Sequence, residues 1–334
     1  MIIYARHFAE ESFMRIRKTV LTTIAVLCAG GAVAAGTEVP VTRTSGAPVP
    51  AATGWTQVGH DVRSGISGLT VTSRTGNTYR VLIALDNKRP GENRIARLDY
   101  RAGESGRTAT VQPLEWRGGA EPIDVEAIES VPGTVDEYLA VSSRGLVYHL
   151  VVTDDGKAVQ VRDLSPLPAI GPGDNFESFT LVSRHHKLAA VWADRGEGDG
   201  RPATLYAASL SFNEYGESVF GKVTKAAYRA PYPTQDVRHA SDISVTDSGR
   251  LLIASASDEG DDGPFDSAVS DAGSVSLDRS GRVRLTVAQH PRVLRKFEGY
   301  KVEAVDCVSG SGTAVLGTDD ENAGGALTTA RICH

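Results

Sequence analysis

The sequence predicts an all-β protein, a five-bladed β-propeller of four-stranded antiparallel blades whose last blade is closed by an N-terminal strand. Three observations carry that expectation. A short apolar strand that opens on a small or acidic residue recurs five times, further β-rich runs follow it between Gly, Pro, Asp and Asn turns, and no 3.6-residue apolar period intervenes. A six-bladed ring is the alternative, with a β-sandwich behind it.

The five opening strands are Ser67-Gly68-Leu69-Thr70-Val71, Val125-Glu126-Ala127-Ile128, Phe176-Glu177-Ser178-Phe179, Ser241-Asp242-Ile243-Ser244-Val245 and Val302-Glu303-Ala304-Val305. Counted from 67, 126, 177, 241 and 303 they lie 59, 51, 64 and 62 residues apart, which is long for a hairpin and suits four strands with loops. Second strands are expected at 79–85, 138–141, 188–192, 251–256 and 313–316, and third strands at 94–98, 146–151, 203–210, 274–277 and 326–332. Fourth strands follow at 108–114, 158–164, 218–227 and 283–288, and the fifth unit has none. Propellers commonly complete the last blade with an N-terminal strand, and residues 54–58, with Trp55 as the large apolar residue, supply it. A single propeller domain over 54–334 is therefore expected.

Ahead of it, Arg15, Arg17 and Lys18 precede a largely apolar run and small residues ending Ala-Val-Ala-Ala, the pattern of a secretory signal. Residues 1–35 are read as this signal region, with Met14 as an alternative start, cleavage near Ala34 or Ala35, and a secreted or periplasmic destination. Residues 36–53 are rich in Pro, Thr, Ala, Ser and Gly and are expected to be a flexible linker. Loss of 1–35 removes four basic and two acidic residues, so the formal charge moves from -6 to -8. No basic patch suggests nucleic acid, no later run is long enough to span a bilayer, and a monomer is expected. Cys307 and Cys333 remain after cleavage, either paired in an oxidising compartment or buried as thiols.

In a four-stranded meander the loop entering strand one and the loop joining strands two and three share a face, and the innermost strand lines the central channel. Glu126, Glu177 and Glu303 hold equivalent entry positions, so they are expected around one channel mouth; Asp242 lies one residue from the matching position, which Ser241 takes, and Ser67 takes it in the first unit. Polar loops at 86–89, 142–144, 194–197, 258–262 and 318–322 fall on the same face. Carboxylates about 5 Å apart at an effective dielectric near 20 repel by about 3 kcal/mol per pair, so such a ring binds a cation, pairs with arginine or takes up a proton. Glu126, Glu177, Asp242 and Glu303 are the candidate metal ligands, with Ca²⁺ preferred for their hard oxygens. The competing structural reading has each Glu accepting backbone amides and locking one blade to the next. Nucleophile-elbow, phosphate-loop and zinc-protease motifs are absent from the sequence. His239 is the candidate general acid or base on this face, or else a surface residue of a turn. His185 and His186 belong to a turn on the opposite face.

The strands Asp124-Val125-Glu126-Ala127-Ile128-Glu129 and Lys301-Val302-Glu303-Ala304-Val305 resemble the exported propellers called phytase-like or esterase-like and the related SdiA-regulated group, whose recurring element is apolar, Glu, Gly, apolar. The resemblance runs over about residues 60–330, with Ala127, Ser178 and Ala304 where those families favour Gly. It implies a five- or six-bladed ring, a bound calcium ion, and metal-dependent hydrolysis of a phosphoester or carboxylic ester. Glu126, Glu177 and Glu303 would then hold the ion, its bound water would be the nucleophile, and Arg144 or Arg195 would clamp an anionic substrate oxygen. The competing class is a non-catalytic exported propeller that binds a glycan, peptide or protein partner, or another small-molecule or surface ligand, at the same rim.

Overall fold

The computed structural model describes residues 54–103 and 106–334; the signal region and the linker expected over 1–53 lie outside the described residues. Alternating apolar and polar residues between tight turns produce five antiparallel blades. The innermost strands are Gly68–Thr75, Val125–Ser130, Phe176–Arg184, Val237–Val245 and Val302–Val308. Each is followed outward by a hairpin partner, Thr78–Ala84, Glu137–Ser142, Lys187–Asp194, Arg250–Ser257 and Thr313–Thr318 respectively. The third strands are Ile95–Arg101, Leu146–Val152, Ala203–Phe212, Asp266–Leu277 and Ala326–Ala330.

Adjacent innermost strands pack against each other in chain order, and the fifth packs on the first, which closes the ring at five and excludes a sixth blade. Each junction carries its own apolar cluster. Leu82 and Ile95 meet Ile128 and Tyr138 between blades one and two, and Leu139 and Val141 meet Phe179 and Trp192 between two and three. Val191 and Leu205 meet Ile243 and Ile253 between three and four, Leu252 and Val269 meet Val305 and Leu316 between four and five, and Leu69 and Ile83 meet Val315 and Leu327 at the closing junction. Burial of each such side chain contributes about 1.5 to 3 kcal/mol, so the ring is held chiefly by blade-to-blade apolar contact. Gly68 marks how closely the first two blades approach: a Cβ there would sit 2.7 Å from the Ala127 Cα and 2.8 Å from the Glu126 carbonyl oxygen.

The expected closure is present. Thr56 pairs with Leu327 and Gln57 with Ala326, and the Val58 amide donates to the Gly325 carbonyl at 2.8 Å. Trp55 stacks on Tyr300 with ring centroids 4.4 Å apart and meets the edge of Phe297 at 5.8 Å. Cys307 and Cys333 form a disulfide that ties the innermost strand of blade five to the C-terminal segment.

Three strand expectations are corrected. The fourth strand of blade three is split into Ser218–Phe220 and Thr224–Tyr228, because Gly221 turns in to donate to the Ser209 carbonyl and both pieces pair with the third strand. In blade four the third and fourth strands are far longer than expected, Asp266–Leu277 and Val283–Glu298. Residues 266–273 carry little hydrophobic signal, yet Ser267, Ala268 and Ser270 are completely buried: small residues fit where the backbone itself is enclosed. At the rim, Glu115–Arg117 pairs in parallel with Ala158–Gln160, joining blades one and two. Among the described residues no helix is long and apolar enough to cross a membrane.

Candidate functional site at the channel mouth

The register of the innermost strands explains why three glutamates face one mouth. Val125 pairs with Ser142 and Ala127 with Val141, leaving Glu126 as the extra, unpaired residue of a β-bulge. Glu177 is skipped in the same way between Phe176 and Ser178, and Glu303 between Val302 and Ala304. A bulge turns one side chain out of the regular alternation, and here the turned residue is a glutamate in each of three blades. All three are nearly enclosed, with 9%, 4% and 3% exposure for Glu126, Glu177 and Glu303.

The fourth blade differs from expectation. Val237 pairs with Ser257, the counterpart of Ser142, Asp194 and Thr318 in the neighbouring blades, so the residue matching the glutamates is Arg238. The irregularity between Arg238 and Asp242 places Asp242 deeper in the channel, where it accepts the amides of Ile243 at 2.8 Å and Val305 at 2.6 Å. Asp242 is therefore not a member of the mouth. Aligning strand two ends would have revealed Arg238; aligning apolar openings concealed it, because the register is irregular over the three residues, 239–241, between Arg238 and Asp242.

Arg238 organises the mouth. Its Nη1 donates to Glu303 Oε1 at 3.0 Å and lies 3.7 Å from Glu177 Oε2, while its Nη2 donates to Asp258 Oδ1 at 2.8 Å. Arg195, a predicted site residue, donates to Glu177 Oε1 at 3.1 Å. Lys301, only 1% exposed, reaches Glu303 Oε1 at 3.1 Å and also pairs with Glu321. Burial disfavours the charges of Arg238 and Lys301, but the surrounding carboxylates, Glu303 first, more than offset it and hold both protonated. For Asp258 the contest has the same outcome: burial is outweighed by the Arg238 hydrogen bond and charge, and its carboxyl is depressed.

Glu126 has no such partner. Among the described residues no ion pair or hydrogen bond reaches its carboxyl, and burial, reinforced by Glu177, Asp124, Asp86 and Glu303, pushes it well above the usual carboxylate range. Burial also raises Glu177, with Arg238 opposing, and raises Asp86 to about 6 despite Lys88. The mouth thus sets a carboxyl whose ionisation burial opposes beside carboxyls held by cationic side chains.

The remaining predicted residues fall elsewhere. His239 is buried, with Nδ1 accepting from the Ala230 amide at 3.1 Å and Nε2 on the Gly198 carbonyl at 2.9 Å. Burial lowers its pKa, so it is a neutral strut between blade four and the preceding loops, and both nitrogens are occupied. Arg144 is exposed in the turn after Glu137–Ser142. For calcium, the mouth offers few free oxygens: Glu177 and Glu303 already hold guanidinium and ammonium groups, and burial disfavours the charged form of Glu126. Among the described residues no group of three or more histidine, cysteine, aspartate and glutamate side chains is gathered to hold a metal ion.

No family model matches the chain, and no curated protein does. Among solved structures, the chain is similar to a mutant GH43 protein from Bacillus licheniformis at 12% identity and a TM-score of 0.40, over 68% of this chain and 44% of that one. It thus spans less than half of that protein's length. An endo-1,4-β-xylanase from Bacteroides thetaiotaomicron matches at 9% identity and a TM-score of 0.46, over 80% of this chain and 90% of that one. The native arabinanase of Bacillus subtilis matches at 11% and 0.44, over 81% and 95%. Such distant likenesses decide nothing about chemistry, and the five-bladed ring rests on the strand pairing described above. The resemblance to phytase-like and SdiA-regulated propellers holds for the propeller alone. The expected metal-dependent ester hydrolysis is corrected: arginine and lysine side chains of the protein itself hold Glu177 and Glu303 at the mouth.

Proposed function

We propose that the chain is an exported glycoside hydrolase that cleaves a glycan at the Glu126 mouth. One observation carries this reading: Glu126 is a buried carboxyl that, among the described residues, no ion pair reaches, next to glutamates that Arg238, Arg195 and Lys301 hold. A buried carboxyl that favours its proton, set near a carboxyl held by cationic side chains, is an arrangement by which glycosidic bonds are cleaved. In this reading Glu126 gives its proton to the leaving glycosidic oxygen. Glu303, held by two cations, faces the positive charge developing on the sugar and directs the attacking water, while Arg238 fixes Glu303 and Glu177 in place.

The sign of the pH dependence follows. Glu126 is a competent acid while protonated, so turnover falls as pH rises through its elevated pKa. The test is release of reducing ends from a panel of neutral polysaccharides, paired with dinitrophenyl glycosides whose leaving group needs no proton. Glu126→Gln should lose about 100-fold or more on polysaccharide and far less on the activated glycosides. Equal turnover by wild type and Glu126→Gln, or glycan binding with no cleavage by any preparation, would refute the proposal.

A further inference from the structure

The strand that closes blade five is short and leaves part of the blade uncovered. Thr56 pairs with Leu327 and Gln57 with Ala326, and among the described residues no strand covers the outer edge of the segment from Thr329 to Ile332. The fourth strand of blade four and the first hairpin of blade one flank this gap. Between them lies a groove of about 580 Å³ on the outer side of the ring, and it shares no lining residue with the channel mouth.

Three arginines line the groove, Arg74 from blade one, Arg295 from blade four and Arg331 from blade five. All three are exposed, so their charge is available to a ligand. Aromatic rings set two of them: the Arg74 Cζ lies 5.4 Å from the Tyr79 ring centroid, and the Arg295 Cζ 5.5 Å from that of Phe297. Arg74 Nε also donates to the Gly76 carbonyl at 2.8 Å. Such contacts restrict a guanidinium before any ligand arrives, so less side-chain entropy is lost on binding. Among the described residues no ion pair involves these arginines and no carboxylate lines the groove. Acids on adjoining strands are taken elsewhere: Asp99 by Arg80 at 3.2 Å, and Asp271 at 2.7 Å by Arg250, which also holds the His334 carbonyl. In a chain of formal charge -6 the groove is a local excess of positive charge.

The groove's other polar side chains narrow the choice of ligand. Asn77, Thr313 and Thr329 supply amide and hydroxyl groups of the kind that meet sugar hydroxyls. None of the exposed large apolar side chains borders the groove, so a lipid surface would find charge with nothing to insert. Tyr79, the aromatic residue that lines it, is 3% exposed and offers no platform for a nucleic-acid base. The chain's own residues 36–53 carry one acid and one base, a poor counter-charge for three arginines. Carboxylate and sulfate oxygens suit the paired N–H donors of a guanidinium.

We propose that this groove binds a glycan strand bearing carboxylate or sulfate groups, as an anchoring site separate from the mouth. Arg74, Arg295 and Arg331 take the oxyanions, and the amide and hydroxyl side chains meet the sugar hydroxyls between them. A glycan held here need not be the one cleaved, so the site stands or falls independently of Glu126.

The test is affinity electrophoresis of the full chain through gels containing polygalacturonate, dextran sulfate or unsubstituted dextran, with mobility read against a polymer-free gel. Wild type should be retarded by at least one charged polymer and not by dextran, and the retardation should weaken as salt is added. Retardation by polygalacturonate assigns the carboxylate form, and retardation by dextran sulfate the sulfate form. Replacing Arg74, Arg295 and Arg331 together by Gln should weaken binding at least about tenfold. Replacing Arg162, Lys222 and Arg279 by Gln removes three exposed cations elsewhere and should leave binding within about twofold of wild type. Equal losses in the two variants would reduce the effect to net charge and overturn the site, as would wild type passing both charged gels unretarded. Binding to phosphatidylglycerol vesicles without binding to either polymer would overturn it in favour of a lipid surface. Should the groove variant not fold, phenylglyoxal modification of wild type decides: protection of Arg331 by the retarding polymer supports the site, and unchanged modification overturns it.

Discussion

Removing Arg238 gives the sharpest test of how the channel mouth is held together. Its guanidinium lies 3.0 Å from Glu303, 3.7 Å from Glu177 and 2.8 Å from Asp258, with its side chain 15% exposed. At an effective dielectric near 20, attraction to the two glutamates is about 5 and 4 kcal/mol. Most of that is offset in the intact protein by the cost of burying the guanidinium. Losing one partner of such a group leaves buried carboxylates uncompensated, a net loss of about 3 to 5 kcal/mol. Arg238→Met keeps most of the volume and removes the charge.

The loss should depend on pH, and the direction distinguishes electrostatics from packing. Burial already raises Glu177 with Arg238 opposing, so without Arg238 its folded-state pKa moves further above the unfolded value. The variant's stability then declines as pH rises, more steeply than that of wild type. Urea denaturation at about pH 5 and pH 8 measures this. The expectation is a loss of about 4 kcal/mol at the higher pH, or about 8 °C in Tm, and less than half as much at the lower. An identical loss at both pH values would mean that Arg238 acts through packing alone, and a loss below about 1 kcal/mol at the higher pH would refute the ion cluster altogether.

Two further outcomes test the ring itself. Gly68→Ala drives a methyl into the backbone of Ala127 in the next blade and should destabilise by about 1 to 3 kcal/mol, read by thermal melting; a neutral effect would mean that blades one and two are less closely packed than described. Replacing Cys307 and Cys333 together by Ser removes a link with a sequence separation of 26 residues and should cost about 3 kcal/mol by unfolded-state entropy. Free-thiol titration of the unreduced protein finding both cysteines reactive would contradict the pairing.

The fold was largely legible along the chain because blade strands are local: the alternation in Thr78–Ala84 or Lys187–Asp194 and the turns that bound them are written in neighbouring residues. The absence of a fourth strand in the last unit was likewise enough to predict closure by residues 54–58. Asp266–Leu277 was only partly legible, since its buried stretch is serine, alanine and glycine and carries no hydrophobic signal. At the site, the shared position of Glu126, Glu177 and Glu303 was readable from the spacing of the repeats. Arg238 was not, because an irregular register shifts its blade by several residues.

What the sequence determined by itself was the number of repeating units, the strand that closes them and the presence of three acids at one end, all consequences of short-range pattern repeated five times. Only the tertiary structure decided what those acids do. Protonation and charge depend on what approaches across a blade junction, and such partners are far apart in the chain: Arg238 for Glu303, Thr70 and Thr180 for Glu129, Val71 for Asp306. Bulges turn Glu177 and Glu303 toward cations and leave Glu126 without an ion pair among the described residues, while deeper in the channel Glu129, Asp242 and Asp306 meet backbone and hydroxyl donors. Acids that look alike in sequence thereby have different electrostatic fates.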